Sequence, residues 1–458
     1  MRKLRNPFSN RRRSGRPGAS NPFYFAARYL ARVRSFSSHN PVAANYAIDG
    51  LLVIGAFNLA VNTNNIFALR LGAGDFHLTM LQFLPQSLIL LILIPVGLIT
   101  DSQQNKGRML CCGLLASAFF FLLVAATGFI STRPLYFFLV FLALANASLT
   151  LYNIGWLGFF PEVVEEKRRN AVLTLRTRMA ILVSLLIPLV SGGILASIPG
   201  ERGKIIAHQV FYVIVAILLI SNVLHIRKFK AIDPAPPKKI RLSQLKKAGS
   251  RLLRNKPFLL FAGVILFFHL TWHLDWTLYF IGQANYLHMN EFQLGLTVVG
   301  TTLAQFVSLR FWSNRNQRVG AERTLTFGIL GLTLPPAAII IATLLPISFG
   351  PTAFLIMNML GMMTFATIGL NLFQCLMPVL DTEYRSFFIS VYTCLIALSN
   401  AIMPLAGVAI YRGLGGDITA LRISFGIAIV LRIVAGGLWW LRVRYAERSI
   451  AAVPHKMM

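Results

Sequence analysis

The chain has 458 residues, of which 56% are hydrophobic and only 13% charged, with a formal net charge of +29. An ordinary soluble domain is about 25% charged, and a soluble fold of this size would expose large apolar patches. The composition therefore excludes a water-soluble enzyme and a disordered chain, and reads as an all-α integral membrane protein.

The first 43 residues form a basic tail. MRKLRNPFSNRRRSGRPGASN is poor in apolar residues and reads as disordered. No cleavable signal is evident, because no apolar run follows the first charges. Residues 22–36 mix aromatics with Arg28, Arg32 and Arg34. They suit a basic helix lying on anionic headgroups, or a solvated tail.

Twelve apolar runs follow, each near the roughly 20 residues a membrane-crossing helix needs. They lie near 44–67, 77–99, 108–130, 134–159, 172–197, 205–226, 256–282, 292–312, 324–346, 351–376, 386–410 and 418–441, and are numbered here as spans 1 to 12. The short alternating segments of a barrel are absent. The organisation expected is a tail (1–43), a six-helix bundle (44–226), a linker (227–255), a second six-helix bundle (256–441) and a short tail (442–458). In the linker, IRLSQLKKAGSRLLRNK sets Leu242, Leu245 and Leu252 at helical spacing among basic residues, which predicts an interfacial helix.

The positive charge is placed asymmetrically. Of 44 Lys and Arg residues, 37 fall on the side of the two termini and the linker. Six fall on the other side, and Arg432 sits inside span 12. This bias puts both termini in the cytoplasm of a multi-pass cell-membrane protein. It accounts for the net charge as a topology and lipid signal, so no nucleic-acid partner is expected.

The two halves repeat. Pro161 precedes Arg168 by seven residues, as Pro378 precedes Arg385, at an offset of 217. PLVSG in span 5 and PLAG in span 11 lie 216 apart, and Gly97 falls on Ser313. Pro188 and Pro404, in those two motifs, are candidate helix-bending sites. Six-plus-six parallel repeats are the layout of one large class of transporters.

GLITDSQQNKGR, between spans 2 and 3, resembles the signature loop of the major facilitator superfamily, roughly G-x-x-x-D-R-x-G-R-K. Gly97, Asp101 and Lys106 match it, while Ser102, Gln104 and Asn105 depart. WSNRNQRVGAER is a decayed copy in the second half, with Arg318 and Gly320 matching and Gln317 where the Asp would stand. The resemblance covers about residues 44–445. The stretch from FQCLMPVLDTEYRSFF onward also resembles a bacterial branch of that family, a likeness that brings no substrate with it. The resemblance implies that the loop latches one conformation, with Gly97, Asp101, Lys106, Arg168, Arg318 and Arg385 as its parts, and that spans 1, 4, 7 and 10 line a central cavity. A carboxylate at a helix end can engage a helix N-terminus or an arginine across the loop. The plain alternative for Asp101 is a solvated loop acid.

Ionisable residues at membrane depth are costly and are functional candidates by default. Span 7 is richest, with FFHLTWHLDWTLYF. His269, Trp272, His273 and Trp276 share one helix face at i, i+3, i+4, i+7, and Asp275 stands beside it. Imidazole, indole and carboxylate suit an organic solute with polar and aromatic parts, and His and Asp make H+ a candidate coupling ion. The competing reading is a structural polar cluster among interface aromatics. The remaining histidines do not join His269 and His273 in a cluster, so no metal is expected. Asp49 reads as pairing with an arginine or reaching water. Arg432 reads as snorkelling or buttressing its own half, and Arg176 and Arg178 as topology anchors. Among the amides Asn58, Asn153, Asn371 and Gln374 are candidates for solute contact, though such groups also tie helices together. Asn153 and Asn371 stand at nearly equivalent places in the halves.

Cys111, Cys112, Cys375 and Cys394 read as free thiols within spans. No phosphate-binding loop is visible, and no nucleophile or metal motif supports a membrane-embedded enzyme. The expectation is a secondary active transporter (permease) moving a small organic solute by alternating access, with no cofactor and no obligate protein partner. The alternatives are a non-transporting sensor or scaffold of the same fold, or a carrier of lipid-like substrates.

Overall fold

The computed structural model describes residues 41–102, 106–229, 242–381 and 383–451. Residues 1–40 of the basic tail, with the aromatic segment 22–36, lie outside the described residues. Twelve helices are long and apolar enough to cross a membrane, and there is no strand among the described residues. The first six are Pro41–Arg70, Asp75–Ser102, Lys106–Ala126, Pro134–Val163, Glu166–Ser197 and Glu201–Ile226. Each follows its expected apolar run, because a backbone in lipid must satisfy its polar groups within itself.

The second six differ. Span 7 is broken into Lys256–His273 and Trp276–Ile281, with a wide turn at Gly282–Tyr286. Span 8 is continuous over Glu291–Val319. Span 9 is split into Ala321–Gly331 and Leu334–Leu344, and span 10 into Gly350–Met362 and Ala366–Leu376. Spans 11 and 12 run unbroken over Arg385–Gly413 and Ile418–Ala451. The helices containing Pro188 and Pro404 continue through those prolines. The interruptions fall instead in spans 7, 9 and 10.

Spans 1 to 6 pack as one bundle and spans 7 to 12 as another, and the bundles meet through spans 5 and 8 and through spans 2 and 11. The first of these contacts is backbone-close: a Cβ added at Gly192 would stand 2.7 Å from the Glu291 carbonyl oxygen, and one at Gly295 would collide with that of Pro188. Glycine at both crossings is what permits it. The buried core follows the same division. One apolar cluster fills the first bundle and continues into the second at the end far from the termini, through Leu278, Ile281, Ala338 and Leu421. A second cluster, around Phe258, Phe261, Phe388 and Trp439, fills the termini end of the second bundle.

The linker helix forms at Leu242–Arg254. Its Ala248 is buried and Leu252 packs on the second bundle, while Leu253 is 72% exposed. Arg251 pairs with Asp381 and Glu383 in the connection between spans 10 and 11.

Candidate functional site

The broken helices leave carbonyls without their intrahelical donors. Pro336 has no N–H to offer Leu332, four residues earlier. The Leu332 carbonyl instead accepts from Arg432 Nη1 at 2.6 Å. In span 10 the Thr367 N–H turns back to Thr364, which frees the Met363 carbonyl. That oxygen accepts from Ser308 Oγ at 2.9 Å and Trp312 Nε1 at 2.8 Å. In span 7 the chain steps out of helix at Asp275, with φ −100° and ψ 5°. A Cβ at Gly407 of span 11 would collide with the Leu274 carbonyl, so span 11 closes against this break only because residue 407 is glycine.

Arg432 joins two of the breaks. Its Nη2 lies 2.6 and 2.7 Å from the two Asp275 carboxylate oxygens and 3.2 Å from the Trp272 carbonyl. Arg432 is 1% exposed and Asp275 is fully buried. A buried ion pair holds only when further hydrogen bonds satisfy both partners; the Leu332 and Trp272 carbonyls supply part of that here. Arg432 therefore buttresses its own bundle as a paired residue rather than snorkelling to the surface.

A cavity of about 290 Å³ opens at this depth. Span 7 lines it with Trp272, Trp276, Tyr279 and Gln283, and spans 9, 10 and 12 with Pro335, Asn358 and Arg432. Gln82 of span 2 reaches in from the other bundle. The expected face of span 7 is thus divided. Its two tryptophans reach the cavity, while His269, His273 and Asp275 are buried behind them at 3%, 2% and 0% exposure. His273 stacks on Trp272 and meets Trp276 edge-on, and its Nδ1 lies 2.9 Å from Ser399 Oγ in span 11. Neither ring nitrogen of His269 has a hydrogen-bond partner. Gln82, Gln283, Asn358 and Thr301 were not singled out from the sequence, which gives no sign of which span polar groups face a cavity.

The first bundle answers with Asn58, whose Nδ2 lies 3.0 Å from Ser184 Oγ in span 5. Asn58 and Ser184 sit 215 residues before His273 and Ser399, so the two halves carry the same cross-link at matching places. Asp49 is fully buried and accepts from Arg176 Nε at 3.0 Å, Tyr152 at 2.6 Å and Asn222 at 2.8 Å. Arg176 also lies 4.2 Å over the Trp156 ring. It is an internal ion-pair partner, the arginine expected as one alternative for Asp49.

The other candidates scatter. Asn371 is buried and accepts from Asn316 of span 8, away from the cavity. Gln374 is exposed and lines a separate recess with Gly320 and Glu447. Asn153 is exposed beside Tyr152. Of the loop residues, Lys106 is buried and paired with Glu162 of span 4, a partner the sequence reading missed although it follows the landmark Pro161. Arg168 is exposed and pairs locally with Glu165 at 3.3 Å, and Arg318 is exposed. Gly97 and Asp101 fall at the end of the span 2 helix, and Arg385 begins that of span 11.

Ion pairs join the bundles at the end far from the termini. Glu291 of span 8 accepts from Arg70 of span 1, and from Lys204 of span 6 at 2.8 Å. Arg70 also reaches Glu201 at 3.0 Å and lies 2.6 Å from His208 Nε2. Arg412 of span 11 pairs with Asp75 of span 2 at 3.3 Å. At the termini end, Lys106–Glu162, Arg251–Glu383 and Arg442–Glu322 each stay within one bundle or tie the linker to it. Together with the shared apolar core, these contacts close the molecule at one end.

The family model described as Major Facilitator Superfamily matches residues 50–379. Among solved structures, the chain resembles a bacterial homologue of the iron transporter ferroportin in an inward-facing state (TM-score 0.66, 13% identity, 88% of this chain and 98% of that one). It also resembles the nucleoside transporter NupG (0.66, 14%, 87% and 99%). A third is a bacterial homologue of the human lysosomal transporter Spinster, inward-facing and occupied (0.62, 13%, 89% and 97%). No curated protein matches in sequence.

Proposed function

The chain belongs to the Major Facilitator Superfamily, a family of secondary transporters, and we propose that its solute is a small, flat, uncharged organic molecule held against Trp272 and Trp276. One observation carries this reading: three spans are interrupted around a single cavity whose wall is two indoles, a phenol and several amides. Irregular backbone at membrane depth is tolerated where it is buried in protein or lines a cavity, and discontinuous helices mark transporter binding sites. The one cation in the cavity wall, Arg432, is already neutralised by Asp275. A charged solute would lose its hydration without gaining a counter-ion, whereas a planar solute would gain stacking from the indoles and hydrogen bonds from Gln82, Gln283 and Asn358.

The distribution of Lys and Arg supports cytoplasmic termini. On that orientation the end closed by Arg70, Glu291 and Lys204 faces outward, and the arrangement is inward-facing. Alternating access then follows when this end parts and the opposite end closes, the bundles rocking about the cavity. Asp275 is the proton-coupling candidate. Protonating it would free Arg432 to pair elsewhere, which links a proton to the loose ends of spans 7 and 9.

The test is thermal stabilisation of detergent-purified protein against neutral heteroaromatics, sugars, amino acids and organic cations and anions. A ligand at 100 times its Kd adds about 2.7 kcal/mol. Neutral planar compounds are expected to stabilise the wild type and to lose that effect in Trp272→Ala with Trp276→Ala. Stabilisation by ions alone, or persisting in the double variant, would move the site elsewhere. Flux of the hit compound in reconstituted vesicles separates transport from sensing.

A further inference from the structure

We propose that the recess at the termini-side foot of spans 3, 4 and 6 is a binding site for the headgroup of an anionic phospholipid. The recess holds about 590 Å³, within the roughly 300–1,000 Å³ range of small-ligand sites. It is walled by Lys106, Arg108 and Arg227, and its carboxylate is Glu162, which Lys106 already occupies. Among the described lining residues basic side chains outnumber carboxylates, and Arg108 and Arg227 are both exposed on the rim. The recess lies where span 3 begins and span 6 ends, which is headgroup depth for one leaflet.

The apolar surroundings decide between a lipid and a free anion. Inside the recess Phe159, Phe229 and Leu115 provide hydrocarbon rather than further polar partners. From its mouth, span 3 presents Leu115, Phe119 and Leu122 at i, i+4, i+7, exposed by 41, 56 and 41%. Span 6, packed against span 3, exposes Ile220 and Leu224 alongside. The bundles meet through spans 2 and 5 on this side, so these faces of spans 3 and 6 meet lipid. A phosphate seated between Arg108 and Arg227 thus has an apolar track for its acyl chains running directly from the recess. Arginine suits the headgroup because its planar fork hydrogen-bonds phosphate oxygens in pairs, and basic recesses between spans are a recognised lipid-binding chemistry.

The experiment is native mass spectrometry of the full chain exchanged into detergent with equal phosphatidylglycerol and phosphatidylcholine. The wild type is expected to retain phosphatidylglycerol over phosphatidylcholine by about tenfold. Arg108→Gln with Arg227→Gln should bring that ratio near parity, while Arg251→Gln with Arg254→Gln on the linker helix should leave it unchanged. Leu115→Trp keeps the charges but obstructs the track, and should reduce retained lipid of both kinds; it also stands in if the double arginine variant fails to fold. Inorganic phosphate at the same phosphate concentration should not displace the lipid. An unchanged ratio in the double variant, equal retention in the wild type, or displacement by phosphate alone would overturn the proposal.

Discussion

The two bundles use the same device, a buried Arg–Asp pair, on opposite kinds of backbone. In the first bundle Asp49 collects Arg176, Tyr152 and Asn222 from three neighbouring helices, and spans 1, 4, 5 and 6 there are unbroken. In the second, Arg432 bonds Asp275 and the carbonyls of Trp272 and Leu332, at the interruptions of spans 7 and 9. The first pair ties finished helices to one another; the second completes helices that cannot complete themselves. A bundle whose inner backbone is held by side chains has alternative arrangements available to it, whereas one held by its own ladders rocks as a rigid body. On the solute site proposed above, adjustment around the solute would fall to the second bundle.

The largest effect tests this directly. Arg432→Ala strips Asp275 of its counter-charge and two carbonyls of their donor, and should destabilise by about 3–5 kcal/mol. Arg176→Ala should cost only about 1–3 kcal/mol, since its side chain is 18% exposed and Asp49 keeps Tyr152 and Asn222. Unfolding of both variants in detergent gives the order, and the reverse order would break the comparison. Removing both charges with Asp275→Asn and Arg432→Met should recover much of the loss.

Next in size is the closure between bundles. Glu291→Gln leaves Arg70 and Lys204 without their shared carboxylate and should shift the population toward opening at that end by about 1–2 kcal/mol, a five- to thirtyfold change. Labelling rates of a cysteine at Leu294, in the recess beside Glu291, read it out. Asp75→Asn, which removes a pair more than one-fifth exposed on each side, should shift it less. Equal shifts would mean the two contacts share the load.

The spans, the repeat and the family were legible because each rests on a pattern longer than one residue: apolar length, charge bias, a constant offset. The helix interruptions were not. Pro188 and Pro404, the expected bending sites, lie inside continuous helices, while Pro335–Pro336 and the step at Asp275 mark breaks that depend on what stands opposite. Arg432 and Asp275 were each visible as isolated charges inside apolar runs, 157 residues apart. Their pairing needed the fold, because nothing local to either charge names its partner. Glu162 was hidden for the same reason, and Asn371 shows the converse: a well-placed amide spent on Asn316 of its own bundle.

The matched cross-links give a finer probe. Asn58→Ala and His273→Ala each remove one hydrogen bond between equivalent helices, to Ser184 and Ser399. Such bonds within a membrane are worth about 0.6 kcal/mol on average, so the hydrogen-bond loss should be of similar size in both halves. Solute binding should separate them. His273 stacks behind Trp272 and Trp276, so His273→Ala frees the indoles and weakens binding severalfold, while Asn58→Ala leaves the affinity closer to the wild type. Parity in binding would return the tryptophans to a structural role.

The smallest effect concerns the linker helix, which is fastened to the second bundle. Hydrogen bonds from the Tyr384 and Glu383 backbone N–H groups, with the Arg251 guanidinium nearby, hold the Asp381 carboxyl below the usual carboxylate range. A group lowered in the folded state contributes stability that is fully present above its unfolded value, about 3.9, and lost as pH falls through the folded one. Attachment of residues 242–254 should therefore be constant from pH 5 to pH 8, roughly, and loosen only in acid. Asp381→Asn imitates the acid form at neutral pH and should speed amide exchange across that helix slightly, since the Glu383 contact to Arg251 remains at 2.6 Å. A protection factor, taken relative to the intrinsic exchange rate, that changes between pH 5 and pH 8, roughly, would point to a group of higher pKa as the fastening.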